Sequence, residues 1–294
     1  MREKPGLLSF LILRKMERVL PVEVFYWISK PEAFVRAMLW SIFKKNPPSI
    51  ILPGCFNPAG TVPVARLHRM NLYLNRTLQS FPDRLATPKW INRFHLTGIE
   101  NIRKAQQNKR PLILAFCHFG PYNLMRSWLR AVGIPAAILI GGRPGKPSLV
   151  KRLRDQRTPF PEIPTTFSLH QLREMVKFLA SGNPLAMAID YPRGQQINVP
   201  LRDGWNFQMA TGAIRLAIRH RAELIPCCII EEGPWRFRIE LGRPVPAEYL
   251  ATETDLIPAG KHLIDEMLVH FQNHPDQCPQ HLIDHFQQVP PPQN

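Results

Sequence analysis

Long apolar runs are missing from this chain. The best candidate, "GLLSFLIL" at 6–13, stops at Arg14 and Lys15, well short of the roughly 18 to 20 apolar residues that a membrane-spanning helix needs. No small-x-small cleavage pattern follows it, so it reads as a helix rather than a leader to be removed. Paired cysteines are missing as well. Cys55, Cys117, Cys227, Cys228 and Cys278 make an odd number, show no C-x-x-C spacing and lie mostly inside apolar runs, which argues against a disulfide or zinc framework and for reduced core residues. Cys227 and Cys228 are neighbours in a strand pattern, so their side chains leave on opposite faces and chelate poorly together.

The glycine loops that cradle phosphates are also absent. Neither G-x-x-x-x-G-K-[ST] nor G-x-G-x-x-G occurs, so no nucleotide cofactor is expected. Histidines are frequent near the end of the chain (His262, His270, His274, His281, His285), and His270 and His274 have helical i, i+4 spacing. No H-E-x-x-H pattern accompanies them and Pro275 ends that helix, so no metal site is expected. Acidic residues are few: 22 Asp and Glu stand against 38 Lys and Arg, a net charge of +16. A surface of that sign attracts nucleic acid, anionic lipid or an acidic carrier protein. The basic residues are spread over many segments without interleaved exposed aromatics, so nucleic acid is not the expected partner.

What the chain does have is enough apolar residue for a large core, 45% over 294 residues. Residues 1–45 read as one or two helices with Leu7, Leu8, Phe10, Leu11, Leu20, Val24, Phe25 and Trp27 as their apolar residues, flanked by Arg14, Lys15, Arg18, Lys44 and Lys45. Such a basic, aromatic-bearing helix either lies in a membrane interface or packs on the core. "NPPSIILPGCFNPAGTVPV" at 46–64 reads as a linker. The domain division is therefore 1–64 for helices and linker, 65–286 for the main domain, and 287–294 for a disordered tail.

Within the main domain, apolar strand patterns at 111–117, 136–141, 185–190 and 224–230 alternate with helical patterns near 98–108, 122–132, 148–156, 168–181 and 211–221. Strands apolar on both faces and separated by amphipathic helices define an α/β fold, a mostly parallel sheet flanked by helices. The "EEGP" turn at 231–234 should join two antiparallel strands. "WRFRIEL" at 235–241 alternates as an edge strand would, and a closing helix spans 257–273.

Ligands of parallel sheets gather where strands end and loops lead into helices. Three such ends carry chemistry: His118 after the first strand, Gly141, Gly142 and Arg143 after the second, and Asp190, Tyr191, Pro192, Arg193 and Gly194 after the third. A histidine titrates near physiological pH and can remove a proton from a hydroxyl or amine, while guanidinium groups hold phosphates bidentately. Without a ligand, His118 is a strand cap, Arg143 a solvated loop residue, and Asp190 the cap of a turn before Pro192. Lys146, Lys151, Arg152, Arg154 and Arg157 read as a general basic surface.

Four blocks in order, "LTGIENIRKAQQNKRPLILAFCHFGPYN", "GGRPGKPSLVKRLRDQ", "LREMVKFLASGNPLAMAIDYPRG" and "FQMATGAIRLAIRHRAELIPCCI", with the closing "IDEMLVHFQNHPDQCPQHL", give the sequence its resemblance to a family. It resembles the lysophospholipid acyltransferase superfamily, and within it the bacterial lipid A late acyltransferases of the lauroyl and myristoyl type. The resemblance covers about 95–280. It implies a glycerolphosphate acyltransferase-like fold with N-terminal interfacial helices at the cytoplasmic face of the bacterial inner membrane. It further implies a fatty acyl thioester donor, on acyl carrier protein or coenzyme A, and a lipid-like acceptor.

The same resemblance makes His118 the general base and places Arg143, Asp190, Arg193 and Gly194 at the substrate. The family's histidine is followed five positions later by Asp or Glu, and here that position is Asn123. Asn123 can orient the imidazole through its amide oxygen but brings no charge. Three consequences stand open: a weaker dyad suffices, Asp190 supplies the charge, or the chain is a lipid-binding protein that no longer catalyses. Trp128, Trp205 and Phe207 are candidate walls of an acyl groove.

Overall fold

Successive residues of the strand at 112–116 enter different cores: Leu112, Leu114 and Phe116 join one apolar cluster, Ile113 and Ala115 the other. That is the mark of a strand covered on both faces, and it organises the whole domain. The computed structural model describes residues 7–43, 70–71, 73–75, 77–78, 81, 83–134, 136–140, 162–164, 169–191 and 194–289. The expected linker at 46–64 and helix at 148–156 lie outside them.

The helices are α1 (Leu7–Val19), α2 (Val22–Phe43), α3 (Pro88–Ile91), α4 (Ile99–Gln107), α5 (Met125–Ala131), α6 (Leu169–Ala180), α7 (Gly212–His220), α8 (Ile257–Asn273) and α9 (Gln280–Ile283). The strands are β1 (Phe94–Thr97), β2 (Leu112–Phe116), β3 (Ala137–Ile140), β4 (Glu162–Pro164), β5 (Pro184–Ala188), β6 (Gln196–Pro200), β7 (Trp205–Ala210), β8 (Glu223–Gly233), β9 (Arg236–Leu241) and β10 (Phe286–Gln288).

The main sheet has seven strands in the order β1-β9-β8-β2-β5-β3-β4. Every neighbouring pair is parallel except β8 with β9, which the turn after Glu231 folds back antiparallel as its sequence implies. The fold is thus α/β, a mostly parallel sheet between helices. A second antiparallel sheet, β10-β7-β6, was not legible in the sequence.

Two expectations are corrected here. β9 is not an edge strand, because β1 pairs alongside it from Phe94↔Phe237 to Thr97↔Glu240. Its alternation has another cause: Phe237, Ile239 and Leu241 are buried on one face, while Arg238 on the other pairs with Glu232 at 2.6 Å. Gln287 and Gln288, assigned to the tail, belong to β10 and pair with Asn206 and Trp205.

Helix α2 carries two apolar stripes rather than one. Val22, Phe25, Tyr26, Ala33 and Ala37 are buried, whereas Val24, Trp27, Ile28, Phe34, Val35, Met38 and Leu39 are exposed. Each set recurs at intervals of about one or two helical turns, so the helix has an inner and an outer apolar face. The inner face meets the domain through Phe25 and Tyr26, whose rings stand edge-on to Trp235 at 5.1 and 5.3 Å. Helix α1 is fastened electrostatically. Arg14 donates two 2.6 Å hydrogen bonds to Asp83, and the fully buried Glu17 accepts from Trp90 Nε1 at 2.8 Å and Arg84 Nε at 3.1 Å. A buried carboxylate is tolerated only when partnered in this way. No helix among the described residues is long and apolar enough to cross a membrane.

Candidate active site

Strands β2 and β5 are parallel neighbours in a register that sets Phe116 beside Ala188. Continuing each strand by two residues brings His118 beside Asp190, so the pairing is a consequence of sheet register rather than of loop chance. Ile189 N–H donates to Phe116 O at 2.9 Å, extending the ladder one step beyond the strands. Past that step the side chain replaces the backbone: the Asp190 carboxylate accepts the His118 backbone N–H through Oδ2 and faces His118 Nδ1 through Oδ1, both at 2.8 Å.

Asp190 is fully buried, and a fifth of the His118 side chain is open to solvent. A buried carboxylate facing Nδ1 favours the neutral tautomer that carries its proton there and leaves the lone pair on Nε2. Tyr122 stands edge-on to the imidazole at 4.6 Å, and Phe116 lies behind it at 6.0 Å. The ring is therefore oriented by one charged partner and two aromatic walls.

The loop after His118 needs its glycine. Gly120 has φ +54°, and a Cβ there would sit 2.1 Å from Ile229 O. Its N–H donates to Gln277 O at 3.1 Å, while the Gln277 amide spans Glu231 by accepting from its N–H at 3.0 Å and donating to its carbonyl at 2.8 Å. The loop is thus tied to the end of β8 and to the segment following α8. Cys117, the neighbour of His118, is no nucleophile: it is buried, and burial pushes its thiol well above the usual range.

Asn123 does not touch this arrangement. It is exposed on the turn Tyr122–Leu124, and the ring nitrogen it was expected to orient faces Asp190 instead. Of the other expected site residues, Gly194 is exposed with φ +89°, and Arg143 and Arg193 lie outside the described residues. Trp128 and Phe207 cannot form one groove. Both are buried, in clusters on opposite faces of the main sheet, with Trp128 packed between Phe94 and Phe237. Trp205, partly buried, packs against the same cluster as Phe207.

One residue at the site was not singled out from the sequence. His281, on α9, stands edge-on to His118 at 5.0 Å, with Nε2 3.9 Å from Asp190 Oδ2. Partial loss of solvent around the ring lowers its pKa, with His118 and His285 acting in the same direction and Asp190 and Asp284 opposing. "PQHL" ends the closing block of the resemblance, but nothing in it assigned His281 a role; only the fold brings the ring to the rim.

The structure thus sets a carboxylate-paired imidazole at the carboxyl rim of a mostly parallel sheet in an α/β domain. The family model for bacterial lipid A biosynthesis acyltransferases matches residues 80–250, more than half of the chain, and the chain belongs to that family. It is an acyltransferase of lipid A biosynthesis type, acting on a lipid-like acceptor. No curated protein matches the sequence.

Proposed function

We propose that the enzyme moves a fatty acyl group from an acyl carrier protein or coenzyme A thioester to a hydroxyl or amine of a lipid-like acceptor, with His118 as general base and Asp190 as its positioning residue. The hydrogen-bonded His118–Asp190 pair carries this reading. His118 Nε2 takes the acceptor's proton as its oxygen or nitrogen attacks the thioester carbonyl carbon. The carbon–sulfur bond then breaks, and the proton passes from the imidazolium to the departing thiolate. Asp190 stabilises the imidazolium between these steps.

The rival reading, a lipid-binding protein that has lost turnover, drew its strength from the uncharged Asn123. A carboxylate already paired with the ring favours the catalytic reading. Arg143 and Arg193 are proposed to bind anionic groups of the substrates. A transfer assay with labelled acyl thioester tests the base: His118→Ala is expected to lose about 10²- to 10⁴-fold in rate, and a rate equal to wild type would remove His118 from the mechanism.

The site is proposed to work at the cytoplasmic face of the bacterial inner membrane, with α1 and α2 lying in the interface. The outer stripe of α2, together with Leu11, Ile12 and Val19 of α1, leaves large apolar side chains exposed, and Lys30 lies over the Trp27 ring at 4.5 Å. Cation and indole together suit the headgroup level. Vesicles containing anionic lipid are expected to bind the wild type and to lose at least about tenfold affinity for an Ile28→Glu, Val35→Glu double variant, since each side chain forfeits up to about 1.5–3 kcal/mol of apolar burial. Both positions are exposed, so the melting temperature should hold; undiminished vesicle binding would rule out this face as the anchor.

A further inference from the structure

Three residues far apart in sequence converge on one point of the rim. His118 follows β2, Asp190 follows β5 and His281 belongs to α9, and one ligand atom from each lies within 4.8 Å of the others. His118 Nδ1 is 2.8 Å from Asp190 Oδ1, and His281 Nε2 is 3.9 Å from Asp190 Oδ2. Around a tetrahedral zinc ion with bonds of about 2.0–2.1 Å, ligand atoms stand roughly 3.4 Å apart. The two distances are made to different oxygens of one carboxylate and fall on either side of that spacing, and three donor atoms already within 4.8 Å of one another need shifts on the order of 1 Å to surround an ion. His281 has the freedom to make one, being 53% exposed on a helix of four residues.

We propose that His118, Asp190 and His281 bind a divalent transition-metal ion of the zinc class, and that the bound ion switches acyl transfer off. Two imidazoles and a carboxylate form a donor set that zinc and cobalt accept, leaving a coordination position for water. The carboxylate supplies the negative charge that the two neutral rings lack. The residue is fully buried, the ion would take the place of the ring proton that its Oδ1 now faces, and its Oδ2, which accepts the His118 backbone N–H, also lies 3.9 Å from the second histidine.

The inhibition follows from the tautomer. A neutral imidazole carries one ring proton. With that proton on Nδ1 and donated to Asp190, Nε2 holds the lone pair that accepts the acceptor's proton. A metal bound at Nδ1 takes the lone pair there, and the proton moves to Nε2. The base is then occupied by its own hydrogen. No electron is transferred and no bond to carbon changes; one proton moves between two nitrogens of one ring, and the metal replaces it at the first. The binding stands on geometry alone, whereas the inhibitory consequence rests on the proposed role of His118 as base.

The experiment titrates the intact chain, first treated with chelator, with Co²⁺. A ligand-field absorption band saturating at one ion per chain is expected, with Zn²⁺ displacing it. His281→Gln and Asp190→Asn are each expected to weaken Co²⁺ binding at least about tenfold, because losing a direct ligand costs no less than losing an outer-shell partner. In the transfer assay, Zn²⁺ should inhibit wild type and chelator should restore it. Absence of the band, or an unchanged Co²⁺ affinity in His281→Gln, overturns the site whatever the transfer assay reads. A saturating band whose ion leaves the transfer rate untouched overturns the inhibitory role. If the band saturates but His118→Ala transfers at the wild-type rate, the site stands and the general-base mechanism falls.

Discussion

Asp190→Asn is expected to lower kcat by about 10⁴-fold, with substrate affinity little changed, as the comparable substitution does where an aspartate orients a catalytic imidazole. The size of the effect follows from counting acceptors. Asp190 uses one oxygen for the His118 backbone N–H and the other for Nδ1. Asparagine has a single acceptor oxygen. If it keeps the backbone bond, it presents an NH₂ group to Nδ1, which forces the lone pair onto Nδ1 and the proton onto Nε2, the wrong way round for a base. If it turns to keep Nδ1–H, the loop after β2 loses its anchor and the imidazolium still lacks a countercharge. By contrast, Asn123→Ala is expected to stay within about threefold of wild type, since an exposed side chain that does not reach the ring can contribute little. Steady-state kinetics on both variants decide the matter. A larger loss at 123 than at 190 would return the orienting role to Asn123.

The position of His118 was legible because strand patterns are local. The run "PLILAFC" ends where the histidine begins, and parallel sheets present their chemistry at that end. The same reasoning placed Asp190 after its own strand. What the sequence could not supply was adjacency: β2 and β5 are neighbours although β3, β4 and α6 intervene in the chain. Register between non-consecutive strands is a tertiary fact with no sequence marker, which is why an uncharged residue five positions from the histidine drew attention ahead of a carboxylate 72 positions away. His281 was noticed only as one of several histidines near the chain end, and its place beside His118 was hidden for the same reason, as was the pairing of β1 outside β9. The small sheet of β6, β7 and β10 went unseen because its members are short and half-exposed, with burial patterns that break the alternation expected of an antiparallel strand. Helix α2 shows the reverse failing. Its two apolar stripes sum to a pattern that is apolar nearly all round, and a reading by content alone left packing on the core and lying at a membrane as alternatives. The structure separates the stripes and gives each its own face.

Raising the pH from 5 to 9 is expected to destabilise the wild type by roughly 4 kcal/mol more than a Glu231→Gln variant. Glu231 pairs with Phe237 in β8, just before the bulge that separates it from the last pair, Gly233 with Arg236. Its carboxyl is pushed up to about 8, chiefly by burial, with Asp276 adding to the rise and hydrogen bonds from the Trp235 N–H and the Asn75 side chain opposing it. Its Oε2 has no hydrogen-bond partner, so ionisation would leave a charge there without compensation. In the unfolded chain the same group titrates near 4.5. Between those two values the folded state holds a proton that the unfolded state has released, so stability falls as pH rises, by about 1.4 kcal/mol per unit. The contribution is complete below the unfolded value and gone once pH has passed the folded one. Glutamine has the shape of the protonated acid and does not titrate, so it removes this slope. The two proteins should melt within a few degrees of each other at pH 5, and the variant should melt roughly 5–10 °C higher at pH 9. Because the carboxyl lies among Trp235, Asn75 and the segment that holds Gly120, its ionisation would loosen the contact between the sheet end and the loop bearing His118. Parallel melting curves for the two proteins across this range would show that Glu231 ionises freely in the fold.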